Sequence, residues 1–223
     1  MVSLGLIFGN MNRYRVENPA HWDRHSTFEF FKTFDVPFFN VTANVDVTAL
    51  KAYCKRHNYS FLLASLYLSQ KTLNQIPAFN YRFANNEVRL YQGSRAGCTI
   101  LLPNESFAFC YFSPLPVMND FIEEGEKAIE NLKKDPNFAP RDGEANMVYY
   151  SVLPWVSFTS FQHARRHEKE DSVPRIVFGK YFKQGESIQM PLSIEAHHSF
   201  VDGIHVGKYF EILQKEINQL KIE

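Results

Sequence analysis

The stretch from Glu186 to Ile222 constrains the fold of this chain more than any other. Residues 186–197 read as a strand, and Met190-Pro191-Leu192-Ser193-Ile194-Glu195-Ala196 alternates in part. From His205 to Ile222 apolar residues recur at helical spacing, which predicts an amphipathic helix. The segment His197-His198-Ser199-Phe200-Val201-Asp202-Gly203 must therefore turn the chain sharply between them. In it a histidine and a carboxylate stand four residues apart, with apolar Phe200 and Val201 between them. Scaffolds often hold reactive side chains at such strand ends. An imidazole here can take a proton from a hydroxyl at neutral pH.

Two plainer readings compete. A histidine near a strand end is ordinarily a satisfied polar residue. A metal site of His197, His198, Asp202 and His205 is the other alternative, since these residue types suit zinc. Adjacent strand residues point to opposite faces, however, and the chain has neither an H-E-x-x-H pattern nor a Cys pair. The expectation is no metal.

The chain has 223 residues and 45% hydrophobic content, enough for a packed core in one large domain. No repeat or linker divides it, so residues 11–223 are read as one domain. Residues 1–10 are read as an N-terminal extension, with Met11 a second candidate start. The first residues lack the basic region and cleavage site of a signal peptide, and no stretch is long enough to span a membrane. A net charge of zero argues against nucleic acid as the main partner. Cys54, Cys98 and Cys110 fit neither a disulfide framework nor a zinc ribbon, which points to a reducing cytoplasm and buried thiols. The 21 Phe residues can line an apolar pocket, although most belong in the core.

Strands are expected at 38–45, 87–92, 97–102, 107–113, 146–152 and 174–182, as well as 186–197. Asp46 can cap a helix running to about Asn58. Ser60 can cap another, Phe61 to about Gln75, apolar on most sides and hence buried. Met118 to Lys134 is a charged amphipathic helix stopped by Asp135-Pro136. Strands and helices mix without strict alternation. This predicts an α/β (α+β) two-layer fold, a mixed β-sheet with helices on one side.

Two further clusters carry polar chemistry. Tyr150-Ser151-Val152-Leu153-Pro154-Trp155-Val156-Ser157-Phe158 places a serine on a strand and a tryptophan at the break after it. A hydroxyl there can stabilise a developing oxyanion, or simply decorate a strand end. No G-x-S-x-G elbow is present, which argues against a nucleophilic serine. Trp22-Asp23-Arg24-His25 offers an arginine that is either a solvated charge or the partner of a carboxylate such as Asp202.

With Gly179-Lys180-Tyr181-Phe182-Lys183-Gln184-Gly185 and Met190 through Val206, these clusters make the chain resemble the chloramphenicol acetyltransferases from about Tyr14 onward. The H-x-x-x-D-G signature is shared with dehydrogenase-complex acyltransferases and condensation domains, but Pro154 to Phe158 and the short length point to the chloramphenicol enzymes. The resemblance implies a cytoplasmic homotrimer with active sites between subunits, acetyl-CoA as co-substrate, and a role in antibiotic resistance. It implies His198 as general base, Ser151 as oxyanion donor, and Asp202 paired with Arg24 to hold the turn. Trp155, Lys180 and Tyr181 would lie on the coenzyme side. Phe31, Phe39, Thr99, Phe107 and Val177 would lie around the acceptor.

The chain departs from the family pattern mostly on the acceptor side. Phe31 stands for Tyr, Phe109 for a small residue, Gly97 for Gln, Pro37-Phe38 for Cys-Gly, and Val177 for Thr. On the coenzyme side Ser60 stands where a Lys is expected. These changes leave open an acyltransferase with a different acceptor, or a non-catalytic binding module of the same fold.

Overall fold

The computed structural model describes residues 13–141, 144–165 and 171–220, so the suggested extension at 1–10 lies outside the described residues. In chain order the elements are β1 (Tyr14–Glu17), α1 (His25–Lys32), β2 (Phe38–Asp46), α2 (Thr48–His57), α3 (Phe61–Asn74), β3 (Tyr81–Ala84), β4 (Glu87–Tyr91), β5 (Arg95–Leu101), β6 (Phe107–Phe112), α4 (Met118–Lys134), β7 (Met147–Leu153), β8 (Arg175–Gly179), β9 (Phe182–Gln184), β10 (Ser187–His197) and α5 (Gly203–Asn218). Short 3-10 turns lie at Pro19–His21 and Pro77–Asn80.

The main sheet has seven strands in the order β2-β10-β8-β7-β5-β6, with β9 pairing on β10. β7 runs parallel to both β5 and β8, and the other pairings are antiparallel, so the sheet is mixed. One face carries Ala96, Cys98, Val148, Tyr150, Ile176, Phe178, Leu192 and Ile194 into a core shared with α2, α3, α4 and α5. This is the expected two-layer arrangement. The alternation in β10 is only partial because its other face is buried too. Ser193, Glu195 and His197 are 1%, 4% and 4% exposed. A strand covered on both sides need not alternate.

α3 lies deepest. Its Ser69 hydroxyl meets the Tyr209 hydroxyl at 2.5 Å and donates to that of Tyr150 at 3.1 Å, so this buried hydroxyl of an apolar helix is satisfied. Ser60 Oγ accepts from Leu63 N at the start of α3. Asp46 accepts from the Thr48 amide at the start of α2. The expected cysteine burial holds for all three thiols.

Three features differ from the expectation. A separate antiparallel sheet, β1-β4-β3, flanks the main one. Residues 174–182 are not one strand. β8 ends at Gly179, where a Cβ would meet the Phe158 ring at 2.9 Å, and β9 starts three residues later. Finally, α1 occupies a stretch with no element expected. Its first turn has no side-chain cap, and its anchor is the buried ring of Phe28.

Arg82 on β3 is 1% exposed and joins the small sheet to the large one. It donates to the carbonyls of Ala145, Phe79, Tyr81 and Met147 and to Ser94 Oγ at 2.6–3.0 Å. All five guanidinium N–H groups thus have acceptors. Replacing Arg82 by Met leaves those carbonyls buried without donors, at a cost of about 3 kcal/mol or more. Scanning calorimetry of R82M is expected to show a Tm lowered by roughly 6–12 °C.

Candidate active site

Phe200 and Val201, each 2% exposed, explain why the turn after β10 has two apolar residues at its centre. Phe200 packs among Tyr81, Phe83 and Phe28, and the Trp22 ring joins the same cluster. Burying these side chains leaves His198 and Asp202 on either side of them, near the surface. His198 N donates to Pro37 O at 2.7 Å, which ties the turn to the entrance of β2.

Arg24 fastens the turn from the N-terminal side. Its Nε donates to Asp202 Oδ2 at 3.1 Å and its Nη2 to Oδ1 at 2.8 Å, a bidentate pairing. Nη2 also reaches the His198 carbonyl at 3.2 Å, and Nη1 donates to the Ser199 carbonyl. The two side chains are 23% and 30% exposed, so the pair is partly solvated rather than fully buried. Asp202 also opens α5, where its amide donates to His205 Nδ1 at 2.9 Å.

The His198 ring lies between two phenyl rings. Phe31 stacks on it at 3.8 Å with an interplanar angle of 5°, and Phe39 lies 4.4 Å away on a tilt. Asp202 Oδ1 is 3.2 Å from His198 Nδ1, but this buried nitrogen has no aligned hydrogen bond. With Nδ1 buried, the exposed part of the imidazole lies on its other edges.

His197, one residue earlier, has a different setting. It packs edge-on against Phe38 and Phe83, and its Nδ1 accepts from Ser199 N at 3.1 Å. The two histidines thus face separate surroundings, and the described residues hold no group of three metal-ligating side chains.

Ser151 lies elsewhere. On the face of the main sheet turned away from the helices, register aligns Phe109, Thr99, Ser151, Val177, Ser193 and Thr42 across six strands. Phe107 is two residues from Phe109 on that face. Val177 is fully buried within the chain, whereas Thr99 and Ser151 are partly exposed. Ser151 is two strands from β10, and His198 lies five residues beyond Ser193. Strand spacing and rise then put their Cα atoms roughly 15–20 Å apart. One chain brings His198, Asp202, Arg24, Phe31 and Phe39 together and Ser151, Thr99, Val177 and Phe107 together, but keeps the two groups apart.

The third group continues from the second. β7 and β8 run parallel, so Trp155 and Lys180-Tyr181 emerge at the same sheet end. Lys180 N donates to Val156 O at 2.9 Å, and Ser157 Oγ donates to Lys180 O at 2.8 Å. Trp155 and Tyr181 are 63% and 43% exposed. Tyr181 closes a cavity of about 310 Å³ whose wall includes Lys51 and Lys55. An exposed indole and phenol beside cations fit a ligand with an aromatic base and phosphates.

Sequence reasoning missed several neighbours of these groups. Phe138 closes a three-ring wall with Phe107 and Phe109 at 5.2–5.8 Å. Tyr111 lies across Gly97, where a Cβ would meet both the Tyr111 ring and Met147 at 3.1 Å. Arg165, Glu195, Asp171 and Arg175 form an ion-pair network on the same sheet face. None carries a motif, and the contacts of Phe138 with Phe107 and of Arg165 with Glu195 join residues about thirty apart in sequence.

Burial, and then the Arg165 charge, lower the His197 pKa from 6.5 to about 4. The unfolded chain binds this proton near pH 6.5, the folded chain only near 4. Stability from this residue is therefore complete above pH 6.5 and is lost as pH falls towards 4, by up to about 3 kcal/mol. Urea unfolding at pH 7.0 and 4.5 is expected to show a smaller acid loss for His197→Phe than for the parent chain. Equal losses would contradict this assignment.

The family model described as Chloramphenicol acetyltransferase matches residues 11–214. The chloramphenicol acetyltransferase of Proteus mirabilis is 28% identical over 197 residues, covering 88% of this chain and 91% of that protein. Chloramphenicol acetyltransferase 3 of Escherichia coli is 26% identical over 211 residues, covering 94% and 98%. A solved chloramphenicol acetyltransferase superimposes with a TM-score of 0.87 at 24% identity, covering 92% of this chain and all of that one. The dihydrolipoamide acetyltransferase of Azotobacter vinelandii shares the fold at a TM-score of 0.62 and 16% identity, covering 87% and 86%.

Proposed function

This chain belongs to the chloramphenicol acetyltransferase family, a family of enzymes, and from that premise we propose that it transfers acetyl from acetyl-CoA to a hydroxyl of chloramphenicol or a similar amphipathic alcohol. The observation that carries this reading is the Arg24-fastened turn, which holds the His198 imidazole between Phe31 and Phe39.

In this mechanism His198 Nε2 takes the proton from the acceptor hydroxyl as its oxygen attacks the thioester carbonyl. The Ser151 hydroxyl donates to the oxygen that gains charge. When the carbon–sulfur bond breaks, His198 returns the proton to the departing thiolate. No acyl group is attached to the enzyme at any stage. General base catalysis of this kind contributes about 10²–10⁴-fold. An oxyanion donor contributes on the order of 10²–10³-fold. Asp202 takes no part in the proton transfer. With Arg24 it keeps the imidazole aimed.

The in-chain separation of His198 and Ser151 supports a site made by two subunits; that the copies close as a homotrimer is what the family resemblance implies. His198 of one copy would then lie over the Thr99–Ser151–Val177 row of the next. Trp155, Lys180 and Tyr181 would hold the coenzyme at the sheet end continuous with that row. No described helix is long and apolar enough to cross a membrane.

The Phe107–Phe109–Phe138 wall and the Tyr111 ring over Gly97 favour a second reading, the same transfer to an alcohol other than chloramphenicol. Rings that fill the acceptor side change which body fits without touching the transfer groups.

Thiol release from acetyl-CoA, with and without chloramphenicol, tests the reading. Chloramphenicol-dependent release that falls by at least about 10²-fold in His198→Ala is expected. Release only with another alcohol selects the second reading. Full activity in H198A would overturn both.

A further inference from the structure

A cavity of about 1400 Å³ opens at the β2–β10 edge of the main sheet, and Pro37, Phe39, Asn40, Phe161, His163 and Glu195 are among its walls. We propose that Asn40 and His163 determine which alcohol is accepted, by reading an uncharged hydrogen-bonding group, such as a carboxamide, at the far end of the acceptor. The inference rests on the acetyl-transfer reading above and adds the chemical class of its alcohol.

Three observations lead here. The first is a pair of polar atoms the fold does not use. Asn40 Nδ2 and His163 Nε2 are both buried, and neither has a hydrogen-bond partner among the described residues. The other end of the Asn40 amide is occupied, since its Oδ1 accepts from Ser193 Oγ at 2.9 Å. Both residues flank one side chain. Glu195 is the register partner of Asn40, and its Oε2 accepts from His163 N at 3.3 Å. The two atoms therefore belong to one corner of the cavity wall. Native chains keep few buried polar atoms without a partner, and two in one cavity point to a ligand.

The second observation is charge. Arg165 pairs with Glu195 and, at 2.8 Å, with Asp171, and its guanidinium lies 3.4 Å over the Phe38 ring. The charges at this corner thus cancel. Burial lowers the His163 pKa to about 4, so its ring is uncharged at neutral pH. What remains to meet a ligand is an amide N–H and a neutral imidazole nitrogen. A carboxylate or an ammonium brought here gives up its hydration and finds no unpaired opposite charge. A carboxamide offers its carbonyl to the Asn40 N–H. It can serve His163 as donor or acceptor, whichever way the ring proton sits.

The third is reach. Pro37 O accepts the His198 N–H, and Phe39 lies 4.4 Å from the His198 ring, so the cavity extends from the wall that holds the base. Glu195 is three residues before His198, about 10 Å at strand rise. A small molecule with its hydroxyl at His198 and an aromatic body between can place a polar end at Asn40 and His163. Phe161, edge-on to His163 at 4.8 Å, supplies an apolar side for that body.

2-Phenylethanol bearing a carboxamide, a carboxylate or a methyl group at the para position keeps ring and hydroxyl constant and changes only the far end. Thiol release from acetyl-CoA gives kcat/KM for each. The parent protein is expected to prefer the carboxamide over both others by about tenfold or more. His163→Leu is expected to bring that preference to within about twofold, and His163→Gln, which keeps a polar end, to retain most of it. Thermal melting checks that both variants are folded. Equal kcat/KM across the series in the parent, a carboxylate turned over best, or a full preference kept in H163L overturns the inference and leaves the transfer reading intact. A parent that releases thiol with none of the three and not with chloramphenicol overturns both.

Discussion

Arg24 joins two parts of the chain that would otherwise have no reason to stay in register. One guanidinium serves both Asp202 carboxylate oxygens and the carbonyls of His198 and Ser199. Those acceptors span the whole turn, so its backbone is held at both ends by one rigid planar group. A lysine supplies the charge but not the fork. Beneath it, Phe200 and Trp22 share an aromatic cluster that fixes the distance from the N-terminal segment to the turn. The imidazole is aimed by this frame and by two phenyl faces, not by a hydrogen bond at Nδ1. Because the Arg24–Asp202 pair is partly solvated, its value lies more in geometry than in stability.

The second constraint is the main sheet. Its parallel centre sends β7 and β8 out at one end, where Trp155, Lys180 and Tyr181 emerge. β10 runs the other way and delivers His198 at the opposite end. Antiparallel pairing thus separates His198 from Ser151, Trp155, Lys180 and Tyr181 within each chain. In the proposed mechanism the reacting groups sit on different copies, which would give the chain a reason to assemble, since neither half would carry both the proton acceptor and the oxyanion donor.

Much of this was legible in the sequence. Met118–Lys134 and the terminal helix announced themselves by period and by stop signals. His198 and Asp202 stood out through residue type and spacing, whereas the roles of Ser151 and Arg24 came from the family resemblance, since alone they read as strand decoration and a solvated charge. What stayed hidden depends on long-range pairing. Arg82 shows no pattern because its acceptors are backbone carbonyls as distant as Ala145 and Met147. β1 and β3 have four residues each, too few to show a period. α1 begins without a side-chain cap and reads as a run of aromatics. The distance between His198 and Ser151 follows from the register of three strands, which residue spacing does not encode.

The central claim is that the working site takes its base from one copy and its oxyanion donor from the next. Co-folding His198→Ala with Ser151→Ala tests it, with the rate of acetyl transfer as the readout. If the site spans two copies, mixed assemblies contain some sites with both groups intact, about a quarter at equal mixing in a closed ring. The mixture would then far exceed either variant alone. If one chain holds the whole site, every site carries one defect, and a mixture no faster than the mean of its parents would contradict the account.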